Sequence, residues 1–390
     1  MDVGPKHAKD TLLQHLGEEQ KHLGAVVPPI FQNSLFVFPD QASFTKAGAD
    51  PLNNSSLYSR VGNPSLDVAE KKIAMLEGAE RCKLVGSGMG AITASIMSTV
   101  ESGSHVVIVD GCYGPVRDLI TDYLARFGVT HTFVDGTCAD DVIDATRPET
   151  TLVYLESPCS LIFRLQDVRA IAAAARERGV TTIIDNTYST PLYQSPIEMG
   201  VDIVIHSASK YIGGHSDVIA GAICTSEKLM DRILRKEISL LGSILAPFPA
   251  WLITRGLRTL KLRLKAHEAA ANEVAGWMEE QEWVGRVNHV GLRSFPQRDL
   301  YIRQMRGTGG LFSFEPAKQD QDACDTFVNS LKLFQLGVSW GGFESLVVQA
   351  TVKPMHAKEA RKVIRLFVGL EDPEDLMADL TQAAEIAFGS

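Results

Sequence analysis

The segment Ile203-Val204-Ile205-His206-Ser207-Ala208-Ser209-Lys210-Tyr211-Ile212-Gly213-Gly214-His215 sets the architecture of this chain. Its apolar head reads as a buried strand. Its tail sets one lysine among small hydroxyl residues and glycines, just past the strand end. A lysine there can form a Schiff base with an aldehyde, and the hydroxyls and backbone amides around it can hold a phosphate. A solvated lysine in a polar loop has the same local sequence, so the flanking segments have to decide between the two.

Outward from this segment, short apolar runs alternate with helical stretches between about Leu66 and Cys224. Strands are predicted at Cys82–Val85, His105–Val109, Thr130–Val134, Thr151–Leu155, Thr181–Ile184, Ile203–His206 and Ala220–Thr225, and helices at Leu66–Leu76, Ala91–Val100, Val116–Phe127 and Val168–Arg178. The alternation predicts an α/β fold with a mostly parallel sheet covered on both faces. Ligands of such sheets sit at the carboxyl ends of the strands, where Asp185 and Lys210 both fall. Gly242, Pro247 and Pro249 interrupt the pattern, and a long helix is predicted from Trp251 to about Glu280. A smaller C-terminal sheet would use Gly310–Glu315, Ser345–Thr351 and Ile364–Gly369, closed by a helix near Pro373–Ile386. Three regions result: an N-terminal arm (1–55), a large domain (56–250) and a small domain (251–390). The arm contains Val26-Val27-Pro28-Pro29-Ile30-Phe31 and an Asn/Ser-rich stretch, Asn53–Ser56. An extended segment on a partner's surface and a frayed terminus fit it equally.

The 390 residues are 45% hydrophobic and 22% charged, as in ordinary globular proteins. A net charge of -9 argues against nucleic acid or an anionic membrane as the main partner. The basic run Arg255–Lys265 alternates with Leu257, Leu260, Leu262 and Leu264, which reads as a packed amphipathic helix. No CxxC pair or zinc spacing occurs among Cys82, Cys112, Cys138, Cys159, Cys224 and Cys324, so no metal is expected and free thiols in a reducing cytoplasm are. The start MDVGPKHAKD lacks the apolar core of a signal peptide, and no apolar run nears the roughly 20 residues of a membrane span.

Several segments point to one cofactor. Asp185 ends the run Thr181–Ile184 and could pair with a protonated pyridine nitrogen, or serve as a turn cap. Gly86-Ser87-Gly88-Met89-Gly90-Ala91 lies between a strand and a helix, where backbone amides and the helix dipole suit a phosphate. It is not a GxGxxG fingerprint, which disfavours a nicotinamide dehydrogenase. Tyr113 follows His105–Val109 and could stack on a flat ring or exchange a proton; a surface loop tyrosine is the other account. Arg60 in Tyr58-Ser59-Arg60-Val61-Gly62-Asn63-Pro64 could clasp a phosphate with Tyr58, or be a solvated turn residue. Arg365 sits inside Ile364–Val368, where a buried charge calls for an anion, either a substrate α-carboxylate or an internal acid. Together these groups suit pyridoxal 5'-phosphate (PLP).

In this order, and above all in SASKYIGGHSDVIAG, the segments resemble the Cys/Met-metabolism family of PLP enzymes, from about Val26 to near the C-terminus. The resemblance implies a fold-type I PLP enzyme, like aspartate aminotransferase, with a seven-stranded large sheet and a smaller α/β domain. It implies that Lys210 carries the internal aldimine, Asp185 holds the pyridine nitrogen and Tyr113 stacks on the ring. Gly88, Met89, Ser207 and Ser209 would bind phosphate, with Tyr58 and Arg60 reaching it from a neighbouring subunit. Arg365, with the backbone near Ser339 and Trp340, would bind the substrate carboxylate. It further implies tetramers built from dimers that share active sites, with Tyr58 also at the substrate.

Within the family, Ser339-Trp340-Gly341-Gly342-Phe343-Glu344-Ser345 and Glu156-Ser157-Pro158-Cys159-Ser160 look most like bacterial cystathionine β-lyases. YSRVGNPS and Ala246-Pro247-Phe248 also suit γ-lyases. Arg164 stands where β-lyases usually have an acid, and Val338 where a bulkier polar residue is common. The expected activity is cleavage of a sulfur amino acid by elimination, first cystathionine to homocysteine, pyruvate and ammonia. A γ-lyase acting on methionine, cystathionine or an oxygen-linked substrate such as canavanine is an alternative. So are a γ-synthase-type transferase and a PLP-binding regulatory protein.

Overall fold

The computed structural model describes residues 7–19, 21–50 and 54–389. Residues 1–6, 20 and 51–53 of the expected arm, including Asn53 of its Asn/Ser-rich stretch, lie outside the described residues.

A first sheet contains β1 (Arg81–Val85), β2 (His105–Val109), β3 (Thr130–Val134), β4 (Thr150–Glu156), β5 (Thr181–Asp185), β6 (Ile203–Ser207) and β7 (Gly221–Thr225), in the order β1-β7-β6-β5-β4-β2-β3. β2 to β6 pair in parallel, and β7 alone runs against its neighbours β1 and β6. The runs Val106–Val109, Leu152–Leu155 and Ile203–Ile205 are buried, as a sheet covered on both faces requires. After β3 the chain returns to the other side of β2, so the order reverses between β2 and β4. The crevice beyond their carboxyl ends is where such a sheet takes its ligand. β7 reverses direction because only Ala208–Ala220 joins it to β6, without a crossover helix. That connection is the lysine segment.

Local chemistry starts the helices. In α1 (Lys9–His15), Leu12 and Leu13 are buried against the large sheet's helices. α2 (Pro64–Glu77) has Pro64 in its first turn, the Asn63 side chain accepting from the Ser65 N–H, and Gly78 at φ 77° closing it. α3 (Gly88–Met97) begins inside the glycine-rich loop, capped by Ser87 accepting from the Gly90 N–H. It therefore starts three residues before the predicted Ala91. The helix predicted at Val116–Phe127 is instead a short α-helix, Gly114–Asp118, followed by single π and 3₁₀ turns to Phe127. α4 (Val168–Glu177) follows the predicted pattern.

The long helix α5 (Pro247–Met278) joins two cores. Ile253, Leu257, Leu260 and Leu264 pack under the large sheet, while Ala271, Val274, Ala275 and Met278 pack under the small one. Leu262, predicted on the packed face, is exposed; Arg263 is buried instead and donates to the Tyr211 and Gly256 carbonyls. The small sheet runs β10-β11-β12-β9-β8, from β8 (Val284–Asn288), β9 (Leu311–Pro316), β10 (Gln335–Leu336), β11 (Leu346–Val352) and β12 (Arg361–Phe367). β8 and β10 had no clear apolar signal, since both are short and partly exposed. Gln321–Ser330 and Pro373–Phe388 cover one face around Trp283, Phe314 and Phe327. Five of the six cysteines are buried, Cys138 is exposed, and all are free. Among the described residues, no helix is long and apolar enough to cross a membrane, and no cluster of His, Cys, Asp or Glu could hold a metal.

Candidate active site

The site gathers at the carboxyl ends of β2, β4, β5 and β6. Asp185 is the last residue of β5, and its Oδ1 accepts from the Thr187 N–H at 2.9 Å and the Thr187 hydroxyl at 2.5 Å. The same Thr187 Oγ1 accepts from the Ser207 N–H at 2.8 Å, tying β5 to the lysine segment. Burial pushes the Asp185 carboxyl up, while the Thr187 bonds and the charges of His206 and Lys210 pull it down. A cationic partner at this carboxylate would favour its charged form.

Lys210 follows β6 by three residues. Its ammonium donates to the Ser339 hydroxyl at 2.5 Å and lies 5.8 Å from the Trp340 ring centre. Burial, and then the Arg365 charge, lower its pKa to about 8, against the pull of Asp185. Roughly a tenth of the Lys210 amine is therefore neutral at pH 7, far more than for an ordinary lysine.

Arg365 extends from β12, opposite Val348 and Ser313. Its Nη2 donates to the Ser339 carbonyl at 2.9 Å, and its buried Nε has no partner. No described carboxylate forms an ion pair with it, so the internal acid considered from sequence is absent. Burial lowers its pKa, and Tyr113 is near enough to oppose that. Ser339 adopts φ 83°, a left-handed conformation that costs a non-glycine residue. In that conformation Ser339 aims its hydroxyl at Lys210 and its carbonyl at Arg365.

Tyr113 sits in the turn after β2, with its ring half-exposed. Its N–H donates to Glu156 Oε2 at 2.7 Å, and Glu156 Oε1 accepts from the Ser160 hydroxyl at 2.6 Å. Glu156 ends β4 in register with Asp185. Burial and the Asp185 charge push its pKa up to about 8.

The glycine-rich turn has little room for side chains. A Cβ at Gly88 would lie 2.9 Å from Ser207 Oγ, and one at Gly90 2.3 Å from Ser243 Oγ. The Gly88 and Met89 amides open α3 and have no carbonyl partner inside the helix. The Ser207 hydroxyl has no bonding partner among the described residues, whereas Ser209 exchanges hydrogen bonds with Ala220. Tyr58 and Arg60 stack on each other at 5.4 Å, both exposed, and neither bonds to this chain's lysine site.

Arg164 is half-buried between Asp110 and Asp135 and pairs with both. Asp110 Oδ2 also accepts from the Met355 N–H at 2.8 Å, in the turn between β11 and β12. Val338 is exposed. Sequence missed the Glu156, Thr187 and Asp110 contacts. Glu156 carried a usable signal, since acids end two adjacent predicted strands.

A mostly parallel seven-stranded sheet with a lysine, an aspartate and a capped glycine turn at its carboxyl ends defines the class of fold-type I PLP enzymes. Residues 10–385 match the model of the Cys/Met metabolism PLP-dependent enzyme family, and the chain belongs to that family. It is 38% identical over 383 residues to L-methionine gamma-lyase of Treponema denticola, covering 95% of each chain. It is 36% identical over 388 residues to cystathionine gamma-lyase of Bacillus subtilis (97% of this chain, 99% of the relative). It is also 36% identical over 375 residues to cystathionine beta-lyase of Lactococcus lactis (94% and 95%). The crystal structure of metB from Corynebacterium glutamicum superposes with a TM-score of 0.89 at 30% identity, covering 97% of this chain and 98% of that one.

The cofactor is PLP, and the residues fit it. The side-chain-free turn at Gly88, the unpaired amides of α3 and the free Ser207 hydroxyl make a cradle for an anion. Lys210 offers an amine and Asp185 a carboxylate, the two groups that the aldehyde and the ring nitrogen of PLP would call for.

Proposed function

We propose that the protein is a PLP-dependent carbon–sulfur lyase that cleaves a sulfur-containing amino acid by elimination, with cystathionine β-elimination as the first choice. The observation that carries this is Arg365, a half-buried cation with no carboxylate partner among the described residues and a buried, unpartnered Nε, beside a lysine whose pKa is lowered to about 8. It suits an amino-acid α-carboxylate delivered next to a base. Relatives named for γ-elimination match as well as those named for β-elimination, which supports the γ-lyase as a second reading.

When bound, the cofactor supplies an electron sink for charge developing at the substrate Cα. Asp185 would hold its ring nitrogen, Tyr113 would cover its ring, and Gly88, Met89, Ser207 and Ser209 would hold its phosphate. Arg365 and the Ser339–Trp340 backbone would orient the substrate. Lys210 would then take the Cα proton, with the Ser339 hydroxyl holding its amine in place. The Tyr113 hydroxyl would give a proton to the leaving sulfur. A γ-leaving group needs a second proton removed from Cβ, and Lys210 would take that one too.

Tyr58 and Arg60 are exposed and unconnected to this chain's site, which supports their reaching a neighbour's. The assembly inferred is a homotetramer of dimers with shared sites, with residues 1–55 as the arm, 56–250 the large domain and 251–390 the small domain. Free, mostly buried cysteines support a cytoplasmic setting.

The test is incubation with L-cystathionine and identification of the keto acid. Pyruvate supports the first choice, and 2-oxobutyrate replaces it with γ-elimination. Formation of neither, with turnover only when a thiol acceptor is added, makes the enzyme a transferase.

A further inference from the structure

Glu156 is a buried carboxyl that the elimination chemistry leaves without a task. Both of its oxygens are engaged at the mouth of the sheet. Oε2 accepts from the Tyr113 N–H at 2.7 Å and Oε1 from the Ser160 hydroxyl at 2.6 Å. These bonds reach two different loops. One is the turn after β2 that carries Tyr113, and the other is the segment after β4. Ser160 in turn donates its N–H to the Gly111 carbonyl at 2.9 Å, closing a ring around the tyrosine turn. A side chain at Gly111 would strike Cys159, since its Cβ would lie 2.7 Å from Sγ. The turn therefore sits in one place, set against β4 at the topological switch point. Across the sheet Glu156 pairs in register with Asp185.

We propose that Glu156 is a positioning residue of the cofactor site, whose two-point grip on the Tyr113 turn and on Ser160 holds the tyrosine ring in register with Asp185. This rests on the assignment of Lys210, Asp185 and Tyr113 to PLP. The residue touches neither substrate nor cofactor and acts through the backbone of Tyr113. Keeping a carboxyl beside Asp185 in a buried place has a cost, which the two donated hydrogen bonds offset. A glutamine has the same shape. Its carbonyl accepts from the Tyr113 N–H, and its amide donates to Ser160 Oγ.

The experiment titrates apo-protein with PLP and records the dissociation constant and the visible circular dichroism of the bound cofactor. Glu156→Ala loses both contacts. It is expected to bind PLP about tenfold more weakly, with diminished dichroism, because losing the two ordinary hydrogen bonds that hold the turn has an effect of that order. Glu156→Gln is expected to restore affinity to within about threefold and to restore the dichroism, since the neutral amide keeps both contacts. If Glu156→Ala does not fold, Ser160→Ala, which removes one contact, is expected to fall between wild type and a tenfold loss. Wild-type affinity and dichroism in Glu156→Ala, or in Ser160→Ala where that stands in, overturns the proposal. So does a Glu156→Gln variant as weak as Glu156→Ala, because charge rather than placement would then matter. Lys210→Ala is run alongside. If it keeps the wild-type visible spectrum, the site assignment fails, independently of Glu156.

Discussion

The Lys210 ammonium donates to the Ser339 hydroxyl at 2.5 Å, and the carbonyl of that same serine accepts from Arg365 at 2.9 Å. One residue of the small sheet's approach thus holds both the amine that follows β6 and the guanidinium of β12. The two sheets meet at this serine, and its left-handed backbone makes the double contact possible. Strain of this kind persists only where the surroundings fix it, here by Gly341, whose Cβ would lie 2.7 Å from the Tyr211 nitrogen.

The lowered pKa of Lys210 can be measured without cofactor. A lysine whose pKa falls from 10.5 to about 8 is mostly neutral at pH 9, where an ordinary surface lysine is still charged. In apo-protein, Lys210 is expected to react with an amine-directed reagent with a midpoint near pH 8. Replacing Arg365 with leucine removes a positive neighbour and is expected to move that midpoint upward. Peptide mass spectrometry across pH reads both. A midpoint at the ordinary lysine value would refute the proposed environment.

Arg365 is expected to act on substrate rather than on cofactor. Arg365→Leu should raise KM for the amino acid by ten- to hundredfold, the effect of losing a charge-assisted pair of about 1.5–3 kcal/mol. PLP content and its visible absorption should be unchanged. Loss of cofactor with unaltered KM is the opposite pattern and would assign the arginine to the phosphate.

Much of this was legible in the chain. β2 and β3 match their predicted bounds residue for residue: β2 is an uninterrupted apolar run because it is buried on both faces, whereas β3 is a half-exposed edge strand marked by its β-branched and aromatic residues. The lysine, aspartate and tyrosine stand out in the sequence because each lies at or just past the end of an apolar run. Leu262 was misread because alternation with basic residues gave no phase for the helix face, and the neighbouring Arg263 is buried by bonding to carbonyls. The Gly88 turn was read as a loop before a helix, whereas the Ser87 cap makes it the helix's first turn. Contacts such as Asp110 with Met355 join residues far apart in sequence, and no local pattern encodes them.

The N-terminal helix is fastened by charge. Glu18 accepts from Arg258 at 2.9 Å and pairs at 3.0 Å with Lys72, which is fully buried and also donates to the Leu13 carbonyl. Removing Glu18 leaves a buried ammonium with only that carbonyl. Glu18→Ala is expected to destabilise the protein by about 3–5 kcal/mol, the usual effect of breaking a buried pair. The double variant Glu18→Gln with Lys72→Met should recover most of this, because no fully buried charge is left unpaired and the part-exposed Arg258 keeps the glutamine carbonyl as an acceptor. Denaturant unfolding of the three proteins measures it, and equal destabilisation of single and double variants would contradict the argument.

Arg164 and Asp110 form another tie between the two sheets. Arg164 pairs with Asp110 and Asp135, which leaves the second oxygen of Asp110 oriented toward the Met355 N–H. The turn that it holds leads directly into β12 and Arg365. Asp110→Ala should free the 353–360 turn, raising amide exchange there and raising KM with little change in bound PLP. Asp110→Asn keeps an acceptor for Met355 and should show slower exchange than the alanine variant, although its pairing with Arg164 is weakened. Arg164→Ala leaves two aspartates facing each other and should lower stability more than Asp110→Asn does. Hydrogen exchange resolved over 353–360 decides the matter. Unchanged protection of that turn in Asp110→Ala would show that it is held by its own hairpin rather than by the large sheet.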